Sequence, residues 1–348
     1  MRKWHFFSLL IIFFLLNQLG AGVIKESKSS VSFGGFGQFT THTKSKIDGL
    51  QKREDTQKDF KGEGFMAGMM SKMFAKTGNT GEITKLQEMK IYNLNHADKQ
   101  YYVTPIEKMD WQRMSDEGGR EKNAYKEENE EENNIKIIRN EFKVTDTGQT
   151  KKINQFNCRK YDIMWVSEWE NTETGERGTD SLHSIVWTTK LSSQLQKASA
   201  EEMNFNKKYM EKIGMPLDEV QNEILGMSWL SMYKNMNHGQ GAEYKTDDAA
   251  AFKELHKITG YPVVIDGKFY LKRPKKAGEV QQKEEPVPSL KGLFGGLMKK
   301  AMKKKAEPAP KTGAKMAFSY YTEIVEFKPA SVPPKAFQVP AGYTKVEH

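Results

Sequence analysis

The stretch Lys143–Trp169, KVTDTGQTKKINQFNCRKYDIMWVSEW, carries the most information about the fold. It reads as the end of one strand, a turn at Asp146, Thr147 and Gly148, and then a longer strand rich in the aromatic and branched residues that suit a pleated surface. Side chains alternate across a strand, so Tyr161, Ile163 and Trp165 share one face while Met164 and Val166 occupy the other. From Tyr161 onward both faces are apolar. Such a strand is central, with a core on one side and helices or an apolar ligand on the other.

Beyond it, Ser181–Lys190 (SLHSIVWTTK) is another two-sided strand, carrying Leu182, Ile185, Val186 and Trp187. Ile83–Asn93 and Gln100–Thr104 form a hairpin around a turn at Asn95–Lys99. Ser30–Lys44 reads as a first strand, bent at Gly34, Gly35 and Gly37. Val263–Ile265 and Phe269–Leu271 read as a hairpin about a DGK turn at Asp266–Lys268, and Met316–Lys328 as a last long strand. A helix is expected from Ser199, where Ser199 and Glu202 have the capping-box spacing, to Gly214 and Pro216. Two more apolar stripes follow, Leu217–Met227 and Asp248–Thr259.

The chain has 348 residues, yet much of it is low-complexity polar sequence, which points to one domain with inserts at about 55–79, 112–134 and 274–315. The net charge of +9 is unevenly spread. Lys272–Lys315 holds thirteen Lys or Arg against four Glu, whereas Ser115–Asn134 holds three basic residues against eight acidic ones. A lysine tract of this kind solvates a loop more readily than it reads nucleic acid, and no nucleic-acid partner is expected. Anionic lipid headgroups are the better polyanion.

The opening MRKWHFFSLLIIFFLLNQLGAG has the pattern of a secretory signal peptide: Arg2 and Lys3, an apolar run from Phe6 to Leu16, and small residues ending in cleavage near Ala21 or Gly22. That run is too short for the roughly 20 residues that span a bilayer. A periplasmic protein over residues 23–348 is the expectation. Cys158 is the only cysteine, so sheet and core rather than disulfides must hold the fold, and Cys158 itself reads as a small core hydrophobe.

Two short Met-rich segments resemble each other. Phe65, Met66, Met69, Met70 and Met73 form one apolar stripe at helical spacing; Leu293, Phe294, Leu297 and Met298 form another, set among lysines. Methionine's flexible thioether and the surrounding lysines suit a lid or a contact with an anionic membrane, and an ordinary helix on the core is the other reading.

Sequence motifs for chemistry are sparse. The seven histidines show no HxH, HxxxH or HExxH spacing, so no metal site is expected. No GxSxG turn, P-loop or calcium loop is present. Neither enzyme activity nor a cofactor is expected.

Segments MKIYNLNHADKQYYV, TGQTKKINQFNCRKYDIMWVSEW and SIVWTTK, the GYPV start of a late strand, and the ending TEIVEFKPASVPPKAFQVPAGYTKV resemble the exported bacterial family named domain of unknown function 4412. That family is similar in turn to the LolA and LolB periplasmic lipoprotein carriers. The resemblance implies an α+β fold in which a curved antiparallel sheet forms an unclosed β-barrel, with helices covering its concave face around an apolar cavity. It transfers no binding residues. The expected function is non-catalytic binding of a lipid, acylated or other apolar ligand, with Tyr161, Ile163, Trp165, Ile185 and Trp187 as lining candidates. The alternative is an envelope structural or interaction protein with a filled core, whose Met- and Lys-rich inserts contact membrane or partner proteins.

Overall fold

The computed structural model describes residues 22–33, 37–62, 78–108, 135–214, 253–272 and 314–347. The first six strands are β1 (Gly22–Phe33), β2 (Gly37–Asp48), β3 (Gln51–Gly62), β4 (Asn79–Lys85), β5 (Lys90–Asn95) and β6 (Gln100–Pro105). They step outward from β1 to one edge of a sheet. The chain resumes at the opposite edge with β7 (Ile135–Ile153) and returns inward through β8 (Phe156–Asn171), β9 (Arg177–Thr189), β10 (Tyr261–Lys272) and β11 (Ala314–Ala330). Strand β11 then pairs antiparallel with β1 and joins the two meanders. A two-residue strand, β12 (Thr344–Lys345), adds a parallel bridge to β6. The result is a 12-stranded, almost wholly antiparallel sheet that does not close into a barrel.

Among the described residues the one long helix is α1 (Ser193–Ile213), which packs on β11, β1 and β2. Its buried residues Ala198, Phe205 and Ile213 recur at helical spacing and face the sheet. Ser192 is the N-cap, its hydroxyl accepting from the Leu195 N–H, so the Ser199–Glu202 pair lies inside the helix rather than at its start. Gly214 ends it in the left-handed conformation at φ 75°, as the sequence predicts.

Several expected turns prove to be strand. Asp146–Gly148 is a bulge within β7, where Asp146 Oδ1 accepts from the Gly148 N–H and from Arg159 on β8, and the reversal falls instead at Asn154, with φ 50°. Asp266–Lys268 is not a turn either; β10 runs straight through and stays paired with both neighbours. Gly267 is there because the Tyr320 ring lies across it, a Cβ at that position falling 2.1 Å from the ring. Trp169 covers Gly178 in the same way. Ser30–Lys44 is two paired strands rather than one bent strand, and Ile83–Asn93 is split by a turn at residues 86–89. Strand β3 occupies residues 51–62, so the insert expected from 55 begins later. Its sequence, QKREDTQKDFKG, is too polar for apolar alternation to reveal it.

The register divides one face of the sheet into two apolar patches. The odd-numbered residues of β1 share that face: Val31 and Phe33 pack with Phe318, Tyr320, Phe269 and Trp165, while Val23 packs with Ile47, Phe327 and the α1 residues. Between them Ser29 has hydroxyl residues on both sides, Thr41 and Thr322, and in the next row Ser27 has Thr43 on one side and Ile324 on the other. Thr43 in turn bonds Thr56 at 3.1 Å. A third cluster, Ile83, Leu94, Val332 and Phe337, lies on the reverse face of β4 and β5, covered by a 3-10 turn at Pro334–Phe337.

Two polar joints tie the covering elements down. Lys25 on β1 donates to Glu202 of α1 at 2.7 Å, Tyr261 of β10 donates to the other carboxylate oxygen at 2.9 Å, and the ammonium lies over the Tyr261 and Phe327 rings. On the other face His96 pairs with Tyr343 at 2.6 Å and with Asp55 at 3.0 Å, while Arg53 forks onto Asp55 and donates to the Ala336 carbonyl. That joint fixes the C-terminal segment to the sheet.

Candidate functional site

The five apolar candidates do not converge. Tyr161, Ile163 and Trp165 are only 1–2 % exposed and belong to the packed cluster with Val144, Leu182 and Val186. Trp165 stacks on Phe269, and its indole N–H donates to Asn140 Oδ1 at 2.7 Å. Ile185 and Trp187 alternate with Leu182, Ser184 and Val186, so they project from the opposite face, where both are half-buried. Trp187 packs with the cluster containing Phe156 and Cys158, and the Lys151 ammonium sits 4.5 Å from its ring centre. The lid or membrane candidates Phe65, Met66, Met69, Met70, Met73, Leu293, Phe294, Leu297 and Met298 all lie outside the described residues. So do the second expected helix, residues 248–252 of the third and residues 1–21 of the signal segment.

Where the β7–β8 hairpin tip meets the start of α1 the structure has an open cleft of about 810 Å³. Its cations are Lys151, Lys152, Arg159 and Lys190, and among the described residues no carboxylate lines it. Cross-strand register brings three of them together: Arg159 stands between Thr150 and Thr188, Lys152 pairs with Asn157 in the next row, and Lys190 directly follows Thr189. Arg159 is steadied by Asp146 at 2.6 Å, and that bond holds the Asp146 carboxyl below its ordinary range. The far wall is Thr259–Gly260. Thr188 donates to the Thr259 carbonyl at 2.6 Å, and Tyr161 shares a hydrogen bond with the Thr259 hydroxyl at 2.9 Å. Gly260 has a positive φ of 92°, and a Cβ there would fall 2.5 Å from the Thr189 carbonyl oxygen. Leu191 and Gln196, flanking the first turn of α1, line the remaining side, so the positive end of the helix dipole lies at the rim.

Of the five lining candidates, only Tyr161 reaches this cleft, where its hydroxyl meets Thr259. The four cations stand in Lys143–Trp169 and in the strand after it, as TKK, CRK and TTK, but their assembly depends on where the chain reverses. With the turn assigned to Asp146–Gly148 instead of Asn154, Lys152 and Arg159 are not brought side by side.

Cys158 also borders the cleft, but it is 2 % exposed and burial pushes its thiol up to about 11. Raising a thiol from its usual value near 8.5 suppresses the reactive thiolate. Native protein at pH 8 is therefore expected to react with iodoacetamide at least about 100-fold more slowly than unfolded protein, as followed by mass spectrometry. Labelling at equal rates in the two states would mean that the thiol is accessible.

Among the described residues no group of three or more His, Cys, Asp or Glu side chains is arranged to hold a metal ion, and no helix is long and apolar enough to cross a membrane. Compared with protein-family models, curated proteins and solved structures, the chain gives no match.

Proposed function

We propose that the protein is a non-catalytic interaction protein of the cell envelope, built on a filled sheet that presents binding surfaces at its ends, rather than a carrier holding apolar cargo inside a half-barrel. The observation that carries this reading is the packing of Tyr161, Ile163 and Trp165. Each is buried by protein, against Phe269, Leu182 and their neighbours, where a carrier would need room for a ligand. The hydroxyl belt of Ser27, Ser29, Thr41, Thr43 and Thr322 supports it further, because it separates the two apolar patches and would desolvate poorly against an acyl chain. The envelope address rests on the signal-like N-terminus.

The carrier reading makes the opposite prediction in a direct test. Protein purified from its native host is extracted with organic solvent, and the extract is examined by mass spectrometry. The proposal expects no stoichiometric apolar species and no uptake of a fluorescent fatty acid by the purified protein. A co-purifying lipid at one per chain, or saturable fatty-acid binding abolished by enlarging a core residue, would overturn it.

A further inference from the structure

We propose that the cleft between the β7–β8 hairpin tip and the N-terminus of α1 is a binding site for a phosphate ester. The inference does not depend on whether the sheet interior is filled, because the charged groups of the cleft, Lys151, Lys152, Arg159 and Lys190, belong to none of the packed clusters, which only border it at Tyr161 and Cys158.

Three features of the cleft favour this chemistry. Its side-chain charges are one-sided: among the described residues Lys152, Lys190 and Arg159 meet no carboxylate in the lining, and Asp146, an acid that touches this group, is already engaged by Arg159 and lies outside the cleft. Like charges gathered on adjacent cross-strand rows repel one another, and an incoming anion relieves that repulsion. The remaining lining is dominated by hydroxyl and amide groups, Thr150, Asn157 and Gln196 among them, which can complete the coordination of a tetrahedral oxyanion while Lys and Arg supply the charge. Finally, α1 has no acidic residue in its first turn, so nothing on the helix itself neutralises the dipole end at the rim.

The back wall is already in place. Thr188 and Tyr161 spend their hydroxyl bonds on Thr259, holding that loop against the sheet, so a ligand would not have to order it. A carboxylate ligand would satisfy fewer of the donors than a phosphate, whose several oxygens can engage two lysines and the hydroxyl row together. The cleft is open to solvent on one side, which suits a phosphate carried on a larger group that stays outside.

Such a phosphate could be presented by a soluble ester or by a lipid headgroup, and the two are separated by experiment. The mature chain, in phosphate-free buffer, is titrated with glycerol phosphate by calorimetry, and separately tested for sedimentation with vesicles of phosphatidylcholine with or without phosphatidylglycerol. Each measurement is repeated on a Lys152→Gln/Lys190→Gln variant and on a Lys136→Gln control outside the cleft. The proposal expects at least one of the two probes to bind about 10-fold or more weakly to the double variant, with the control unchanged and the binding weakening as salt is raised. Loss confined to glycerol phosphate identifies a soluble ester, and loss confined to the vesicles identifies a headgroup. If both probes bind the double variant as they bind the native chain, or neither binds the native chain, the assignment is wrong. Both lysines are exposed, so the double variant is expected to melt with the native protein.

Discussion

Trp165→Ala is expected to cost about 3–5 kcal/mol of folding stability, the range for truncating a large buried aromatic side chain, measured as a shift in the urea midpoint with unchanged slope. The indole is 2 % exposed, it stacks on Phe269 with ring centres 6.4 Å apart, and its N–H is satisfied by Asn140. Alanine leaves a void that β7, β9 and β10 cannot collapse around without breaking their own pairing. Trp165→Phe should recover part of the loss, because it keeps the stack and gives up the hydrogen bond. The experiment also bears on function. A tryptophan lining an unfilled ligand cavity would be lost at a cost of less than about 1 kcal/mol, with ligand binding rather than stability changing. A small effect of Trp165→Ala would therefore count against a filled core.

Breaking the Lys25–Glu202–Tyr261 joint should have the next largest effect. Glu202→Leu strands the Lys25 ammonium and the Tyr261 hydroxyl under α1, and an expected loss of about 2–4 kcal/mol follows, somewhat under the cost of a fully buried orphaned charge because both charged side chains keep partial solvent contact. Lys25→Met combined with Glu202→Leu should be less damaging than Glu202→Leu alone, since it removes the stranded charge. If the double variant is no more stable than the single one, the joint is not an ion-pair latch.

The same joint has a pH signature. Burial opposes the charge on Lys25, but Tyr261 and Glu202 outweigh it and raise its pKa; burial first, and then Glu202, raise that of Tyr261, against the opposing pull of Lys25. Burial likewise raises Tyr320, and burial with the Glu323 hydrogen bond takes Tyr321 up to about 12. Each of these groups keeps its proton longer in the folded chain than in the unfolded one. Their contribution is complete below the unfolded values near 10 and is lost as pH climbs through the folded ones, so stability should fall above about pH 10. Burial of Cys158 adds a smaller slope starting nearer 8.5. In Glu202→Leu the Lys25 contribution reverses sign, because an unpaired ammonium under the helix has a lowered pKa. Urea midpoints of the two proteins should therefore converge as pH rises toward 10, and midpoints that stay parallel would show that Lys25 does not gain its stability from Glu202.

Much of the sheet was legible. Tyr161–Val166 and Leu182–Trp187 read as two-sided strands because apolar groups fall on both parities, and they are strands β8 and β9 of the interior of the sheet. The end of α1 was readable from Gly214, since the left-handed conformation it adopts is one that glycine takes without strain. The misread elements share a cause. Gly267 and the Asp146–Gly148 run look like turns because glycine and aspartate favour turns locally, and only their partners, Tyr320 across the sheet and Arg159 on β8, reveal a covered glycine and a bulge. Strand β3 was not legible because, apart from Phe60, its side chains are polar on both faces.

The order of residues alone thus specifies which kinds of element form and where the longest apolar strands run, because periodicity and the steric preferences of glycine act over a few neighbouring positions. Register, and with it the face each side chain occupies, belongs to the folded chain, because it is set by cross-strand pairing, locally at the β7–β8 reversal and at long range between β1 and β11. A shift of the β7–β8 reversal from Gly148 to Asn154 is enough to gather Lys152, Arg159 and Lys190 around one cleft. The same long-range pairing places Ser29 and Thr322 between two apolar patches and fills the space around Trp165.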